Sequence, residues 1–310
     1  MFEPRAGNAQ GGGQQPVQYY IDPNFPNPGG KWDTRIIIYG YTPSFALAVF
    51  AVAWFLLLSV IHTALTIRTR RWWWIPVSVG LIFEVVGYIA RCLSAKQDPY
   101  HLIYFILNYF FIVTAPVFLA AGIYTTLTVL INQLGRTYSF LPPKFILAFF
   151  ITTDAVATIL QVAGAALIGK AESDRKDPTP GNNILLGGLA WQVFSIGVFI
   201  ILGVSFVWRA RHQIRKNSLV TFTATFSIAT LLIYMRTIFR LAETAEGLMS
   251  TLQTNEVYFA CLEFMPVALA LLLLAIWHPG RHVNTTVTER DVDDSTSDIK
   301  EGNAAAVFRV

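Results

Sequence analysis

Seven apolar stretches, each about as long as the roughly 20 residues that a helix needs to cross a bilayer, constrain this chain more than any other feature. Because lipid offers backbone groups no hydrogen-bond partner, a crossing segment of this length must satisfy its own backbone, as an α-helix does. We therefore predict an all-α fold, a polytopic integral membrane bundle of seven transmembrane helices. The predicted spans are Pro43–Ile67, Trp72–Leu93, Leu102–Ile131, Phe145–Gly169, Ile184–Trp208, Leu219–Arg240 and Val257–Trp277.

Composition supports a lipid environment. Only 14% of the 310 residues are charged, against about 25% in an average soluble domain, so most of the surface must face lipid. Residues 1–42, which lack an apolar run, are predicted to form a disordered extracellular tail without a signal peptide. Residues 43–280 form the seven-helix domain, and residues 281–310, rich in Thr, Ser and Asp, form a disordered cytosolic tail. No internal repeat of the inverted-repeat transporter type is found.

The loops predict an orientation. Cytoplasmic loops of membrane proteins carry an excess of Lys and Arg, and here the odd-numbered loops are basic whereas the sixth is acidic. The odd loops should therefore lie in the cytosol, with the N-terminus outside and the C-terminus inside. The basic residues of the odd loops are Arg68, Arg70, Arg71, Arg136, Lys144, Arg209, Arg211, Arg215 and Lys216.

Ionisable side chains inside the predicted spans are the candidate functional residues. Each costs roughly 2.5–3.5 kcal/mol to insert, so such groups normally face the bundle interior and often mark a functional site. Several share one helical face by spacing: Glu84, Tyr88 and Arg91; Asp154 and Gln161; Arg236, Arg240 and Glu243; and Glu256 and Glu263. Asn108 adds a polar group in the third span. At 1.5 Å per residue, these groups should lie at the centre or in the outer half of the membrane.

Two interpretations of these charges remain open. Buried ion pairs can fix helix register without touching a ligand, or the groups can line a polar cavity that opens outward. We favour the cavity, because a bundle can be held together with fewer charges. Among the pairs, we expect Arg91 to bind Glu263, and Glu84 to bind Arg236 or Arg240.

Several classes of function are disfavoured. The sequence has no phosphate-binding G-x-x-x-x-G-K-[ST] loop and no G-x-S-x-G elbow. It also lacks the intramembrane His and Asp ligands of a zinc hydrolase and the triplet motifs of G-protein-coupled receptors. We expect no enzyme, no cofactor, no metal and, without a dense basic tract, no nucleic-acid partner. Cys92 and Cys261 are expected to be unpaired thiols, with a bridge between them left open.

The order and spacing of several motifs resemble the fungal RTA-like proteins, the lipid-translocating exporter family. The resemblance begins with Glu84-x-x-Gly87-Tyr88-x-x-Arg91 and runs from about Tyr41 to Arg281. The further matching positions are Ala115-Pro116, Ala120-Ala121-x-x-Tyr124, Asp154, Gln161, Gly164, Arg236, Phe239, Arg240, Glu243, Glu256, Glu263, Pro266 and Trp277-His278-Pro279-Gly280. With these matches, the candidate substrate-binding residues are Glu84, Tyr88, Arg91, Asn108, Tyr124, Asp154, Gln161, Arg236, Arg240, Glu243, Glu256 and Glu263.

The resemblance implies a translocator or exporter, and the missing phosphate-binding loop indicates that it does not use ATP. Such proteins are associated with resistance to toxic lipophiles, with movement of sphingoid bases and phospholipids, and in one branch with porphyrin traffic. The implied partners are membrane lipids or lipophilic small molecules, and the expected location is the plasma membrane, with vacuolar and endoplasmic reticulum membranes as alternatives. A sensor of lipids or stress, signalling through the basic fifth loop and the Ser/Thr-rich tail, is the alternative function. The residues do not identify the substrate, the direction of transport or the oligomeric state.

Overall fold

Helices account for the regular structure in the part of the chain that the computed structural model describes, which is residue 37 and residues 39–174, 177–247 and 250–282. Seven of them are long and apolar enough to cross a membrane. They are α1 (Phe45–Thr69), α2 (Ile75–Lys96), α3 (Leu102–Leu134), α4 (Pro143–Asp174), α5 (Thr179–Arg209), α6 (Val220–Glu246) and α7, which consists of the consecutive segments Glu256–Tyr258, Phe259–Phe264 and Met265–Ile276. A 3-10 turn, Trp72–Trp74, leads into α2, and short helices lie at Arg211–Lys216, Thr251–Thr254 and Pro279–His282.

The seven predicted spans are confirmed as helices, with differences at their ends. Helix α5 begins at Thr179 rather than Ile184, and α6 ends at Glu246 rather than Arg240. Both additions are polar turns, which hydropathy does not detect because a helix can continue past the apolar layer. Most of the two predicted tails lies outside the described residues.

Consecutive helices pack side by side, and α1 also packs against α7. Small residues permit a close approach between α4 and α5. A Cβ atom on Gly164 would lie 2.5 Å from the backbone nitrogen of Leu185, and one on Gly188 would lie 2.9 Å from the Ala157 carbonyl oxygen. The two backbones are therefore in direct contact, as small residues allow in membrane helices.

The bundle has two chemically different ends. We call the end formed by the C-termini of α1, α3 and α5 the basic end, because Arg68, Arg136 and Arg209 lie there. The opposite end, where α6 finishes and α7 begins, carries Glu243, Glu246 and Glu256, and we call it the acidic end.

Candidate functional site

The predicted polar faces do point into the bundle. Glu84, Arg91, Asp154, Gln161 and Glu263 each expose no more than 2% of their surface. Side chains this polar are almost never fully buried unless they are paired. Their partners therefore decide what the site can do.

A buried ion cluster lies between α6 and α7. Glu263 accepts a hydrogen bond from Arg236 Nε at 3.0 Å and another from Arg240 Nη2 at 3.0 Å. Arg240 also donates to Glu243 Oε2 at 3.0 Å. We call these four residues the Glu263 cluster; one carboxylate holds two guanidinium groups in it.

A proline in α3 supplies a further acceptor for this cluster. Pro116 has no N–H, so the carbonyl of Ile112, four residues earlier, loses its helical partner. Arg236 Nη2 donates to that Ile112 oxygen at 2.7 Å. The interruption at Pro116 thus gives a buried arginine a backbone hydrogen-bond acceptor on a neighbouring helix.

A second proline shapes α7 around Glu263. The segment Phe259–Phe264 is a π-helix, and Pro266 follows it within the first turn of the next α-helical segment. Because proline cannot donate to the preceding turn, the wider π geometry accommodates the interruption. Glu263 lies within this wide turn and is 1% exposed.

Arg91 does not bind Glu263, and the predicted pairing is wrong. Its Nη2 atom donates to the Tyr41 hydroxyl at 2.6 Å and lies 3.6 Å from Glu256 Oε1. Its guanidinium carbon lies 3.9 Å from the centre of the Phe259 ring. The reason is positional: two arginines of α6 already occupy Glu263, whereas Glu256 lies at the acidic end, as Arg91 does.

The segment before α1 closes over this end. The Tyr39 hydroxyl donates to Asn108 Oδ1 at 3.2 Å, and Asn108 Nδ2 donates to the Gly87 carbonyl at 2.9 Å. The Ser44 amide donates to Glu256 Oε1 at 2.8 Å and so joins the beginnings of α1 and α7.

Tyr39 and Tyr41 were not among the predicted site residues, because they belong to the stretch assigned to the tail. The sequence feature that could have identified them is the pair of tyrosines just before a span, after a Gly- and Pro-rich run. Burial raises the pKa of the Tyr41 hydroxyl despite the nearby Arg91, so this group stays protonated and neutral at physiological pH.

Glu84 has no counter-ion in direct contact in the part of the chain that the structure describes. It is 2% exposed, and its Oε1 atom has no hydrogen-bond partner among the described residues. The expected bond from Arg236 or Arg240 is not formed, because both arginines bind Glu263. The neighbouring Tyr88, also buried, stacks on Phe55 with ring centres 5.5 Å apart.

Asp154 belongs to a second polar group, between α3, α4 and α5. The Tyr124 hydroxyl donates to Asp154 Oδ2 at 2.6 Å, while Oδ1 has no partner in the described part of the chain. About two turns further along α4, Gln161 Nε2 donates to Gln192 Oε1 at 2.9 Å. Within the described residues, no hydrogen bond or ion pair joins this group to the Glu263 cluster. The candidate polar side chains thus form two separate buried groups in the described part of the chain, and an outward-opening polar cavity lined by them stays a prediction.

Two further predictions concern sulfur and metals. Cys92 and Cys261 are free, and Cys261 is exposed on α7. Among residues 39–174, 177–247 and 250–282, no three His, Cys, Asp or Glu side chains are grouped to hold a metal ion.

Comparison with known proteins finds one matching family profile and several similar yeast proteins. The profile of the family described as RTA1 like protein matches residues 77–286. The sphingoid long-chain base transporter RSB1 of Saccharomyces cerevisiae is 30% identical over 292 residues, covering 79% of this chain and 75% of the relative.

Two other yeast proteins are similar as well. Protein RTM1 is 28% identical over 236 residues, covering 74% of each chain. Protoporphyrin uptake protein 1 is 24% identical over 285 residues, covering 79% of this chain and 92% of the relative. No solved structure matches. Since the family profile covers most of the bundle, including both buried polar sites, the chain belongs to the RTA1-like family.

Proposed function

We propose that this protein moves lipophilic amphiphiles across a membrane without ATP, and that its preferred substrates carry a positive charge. One observation supports the charge preference. The described helices bury three guanidinium groups, each with a carboxylate partner, and these belong to Arg91, Arg236 and Arg240. Of the buried carboxylates, Glu84 and Asp154 have no cationic partner among the described residues, whereas Glu263 has two.

An unpaired carboxylate in the interior is costly unless a cation or hydrogen bonds compensate it. An ammonium headgroup would supply the missing charge at Glu84 or Asp154. A phosphate or carboxylate headgroup would find no free arginine in either site, because protein carboxylates already occupy all three. The arginines are therefore positioning residues in this proposal, and the acids are the ligand-binding residues.

The relatives support the class of substrate and not one compound. A sphingoid long-chain base has an amine headgroup and an alkyl tail, whereas protoporphyrin is a ring with carboxylate groups. Both are lipophilic molecules with a polar part. For this chain we propose amine-bearing amphiphiles, with resistance to toxic lipophiles as the cellular consequence.

We further propose that the acidic end faces outward and the basic end faces the cytosol. This orientation follows from the charge bias of the loops. It places Arg91, Glu256 and the segment at Tyr39 and Tyr41 on the outer side. The plasma membrane is the proposed location, and the vacuolar and endoplasmic reticulum membranes are the alternatives.

Reconstitution tests the function directly. Purified full-length protein is placed in liposomes, without nucleotide, and a fluorescent sphingoid base is added to the outer leaflet only. A translocator accelerates equilibration of the label between the leaflets relative to protein-free liposomes.

The alternative function is a sensor that signals through helix packing, and the buried packing of the Glu263 cluster is compatible with it. A sensor would bind the sphingoid base, and the tryptophan fluorescence of the protein would change while the labelled base stayed in the outer leaflet. That result would reject the transport proposal.

A further inference from the structure

A groove at the basic end, between the end of α5 and the start of α6, lies far from both buried polar sites. Arg211, Arg215 and Thr223 form its polar wall, and Val207, Ile214 and Val220 form its apolar wall. Trp208 and Val220 are exposed at this level, with 68% and 51% of their surfaces accessible. Tryptophan is enriched where a membrane protein meets the headgroup region, so the groove opens at the depth of lipid headgroups.

The two arginines of the groove have no acidic partner among the residues that the structure describes. In the described part of the chain, no carboxylate lies within ion-pair distance of Arg211 or Arg215; Arg211 instead lies over the Trp208 ring at 5.5 Å. At the acidic end, by contrast, Arg91 and Arg240 each have a glutamate partner. The groove thus presents two guanidinium groups that no carboxylate of the described residues pairs.

Thr223 gives an independent indication of a ligand. It is 4% exposed, yet its hydroxyl has no hydrogen-bond partner within the described ranges. Buried threonines elsewhere in the bundle, such as Thr126, Thr230 and Thr237, donate their hydroxyls to the carbonyl four residues earlier. A buried hydroxyl without a partner costs free energy, and this one lines the same groove as the two arginines.

We propose that this groove binds the phosphate headgroup of an anionic glycerophospholipid. Arg211 and Arg215 would donate to the phosphate oxygens, since guanidinium matches phosphate geometry. The Thr223 hydroxyl would donate to the same headgroup. The first acyl carbons would lie along Val207 and Val220, continuous with the lipid layer.

The general charge bias of cytosolic loops accounts for basic residues here but not for the groove. That bias requires only net positive charge near the membrane. Arg209 and Lys216 satisfy it equally well, because both are exposed at the same end and neither lines the groove. They therefore provide a charge-matched control for the two arginines that do.

The test uses full-length protein in phosphatidylcholine nanodiscs that contain a minor fraction of photoactivatable phosphatidylserine. Covalent labelling is measured on intact protein, and the labelled peptide is identified by mass spectrometry. We expect labelling at the end of α5 or the start of α6 in the wild type. The double variant Arg211→Gln/Arg215→Gln should lose labelling there by about tenfold or more, whereas Arg209→Gln/Lys216→Gln should keep it. Thr223→Val, which preserves side-chain shape, should lose about threefold.

Each other outcome overturns the proposal. An equal loss of labelling in Arg209→Gln/Lys216→Gln would show that the lipid responds to surface charge in general and not to the groove. Unchanged labelling in Arg211→Gln/Arg215→Gln would exclude a site. Inorganic phosphate that blocks labelling as well as excess phosphatidylserine does would identify a free-phosphate site instead of a lipid site. If the arginine double variant fails to fold, unchanged labelling in Thr223→Val would reject the groove by itself.

Discussion

The Glu263 cluster allows a prediction that separates the observed ion pairs from the pairing expected by helix spacing. Glu263 bridges two arginines. Among the described residues, Glu263→Leu therefore leaves Arg236 with only the Ile112 carbonyl, while Arg240 keeps Glu243. Stranding a buried charge costs on the order of 3–5 kcal/mol. Arg236→Leu should cost less, about 1.5–3 kcal/mol, because Glu263 keeps Arg240 and mainly one charged hydrogen-bond donor is lost.

The double variant Arg236→Leu/Glu263→Leu removes both charges and leaves the Arg240–Glu243 pair intact. Its loss of stability should therefore be smaller than the sum of the two single losses, by roughly 1–3 kcal/mol. Arg91 provides the control, since its partner is Glu256. Arg91→Leu and Glu263→Leu should be additive within about 0.5 kcal/mol.

The assay is the free energy of unfolding of purified protein in mixed micelles, with the amount of folded protein in the membrane as a second readout. Coupling of Arg91 to Glu263 as large as that of Arg236 to Glu263 would refute the assignment of partners. Full additivity of Arg236 and Glu263 would show that their contact contributes no coupling.

Two further predictions concern topology and helix packing. A glycosylation sequon introduced near Glu246 should receive sugar, whereas one near Arg215 should not. Glycosylation is detected as a mass shift that a glycosidase removes. Sugar at the Arg215 site alone would show the opposite orientation. Gly164→Val should abolish folding, because its Cβ would lie 2.5 Å from the Leu185 nitrogen. The control Gly169→Val should be tolerated, because nothing lies within 4 Å of its Cβ. Equal abundance of the two variants in the membrane would contradict the close α4–α5 contact.

Helix positions and the buried polar faces could be predicted from the sequence, because both depend on local periodicity. Seven apolar runs give the spans, and the spacing of Glu84, Tyr88 and Arg91 places them on one buried face. The partners could not be predicted in the same way, because the choice between Glu256 and Glu263 depends on the relative depth and rotation of different helices.

Two local irregularities account for much of that difficulty. The π-helical turn Phe259–Phe264 changes the rotation of α7 between its two glutamates, so regular α spacing misjudges their directions. The carbonyl that Pro116 releases becomes an acceptor for Arg236 only because α6 lies beside it. The role of Tyr39 could not be predicted either, because its hydrogen-bond partner Asn108 lies 69 residues away in the sequence.

The central claim is that an unpaired buried carboxylate binds the headgroup of a cationic amphiphile during transport. The most direct measurement is the rate at which a fluorescent sphingoid base equilibrates between leaflets in proteoliposomes containing Glu84→Gln. The control is Glu246→Gln, which removes an exposed carboxylate at the acidic end. At equal amounts of folded protein, we expect Glu84→Gln to slow equilibration at least about tenfold, equivalent to roughly 1.4 kcal/mol of lost stabilisation, and Glu246→Gln to retain the wild-type rate. A wild-type rate in Glu84→Gln would contradict the claim at this residue.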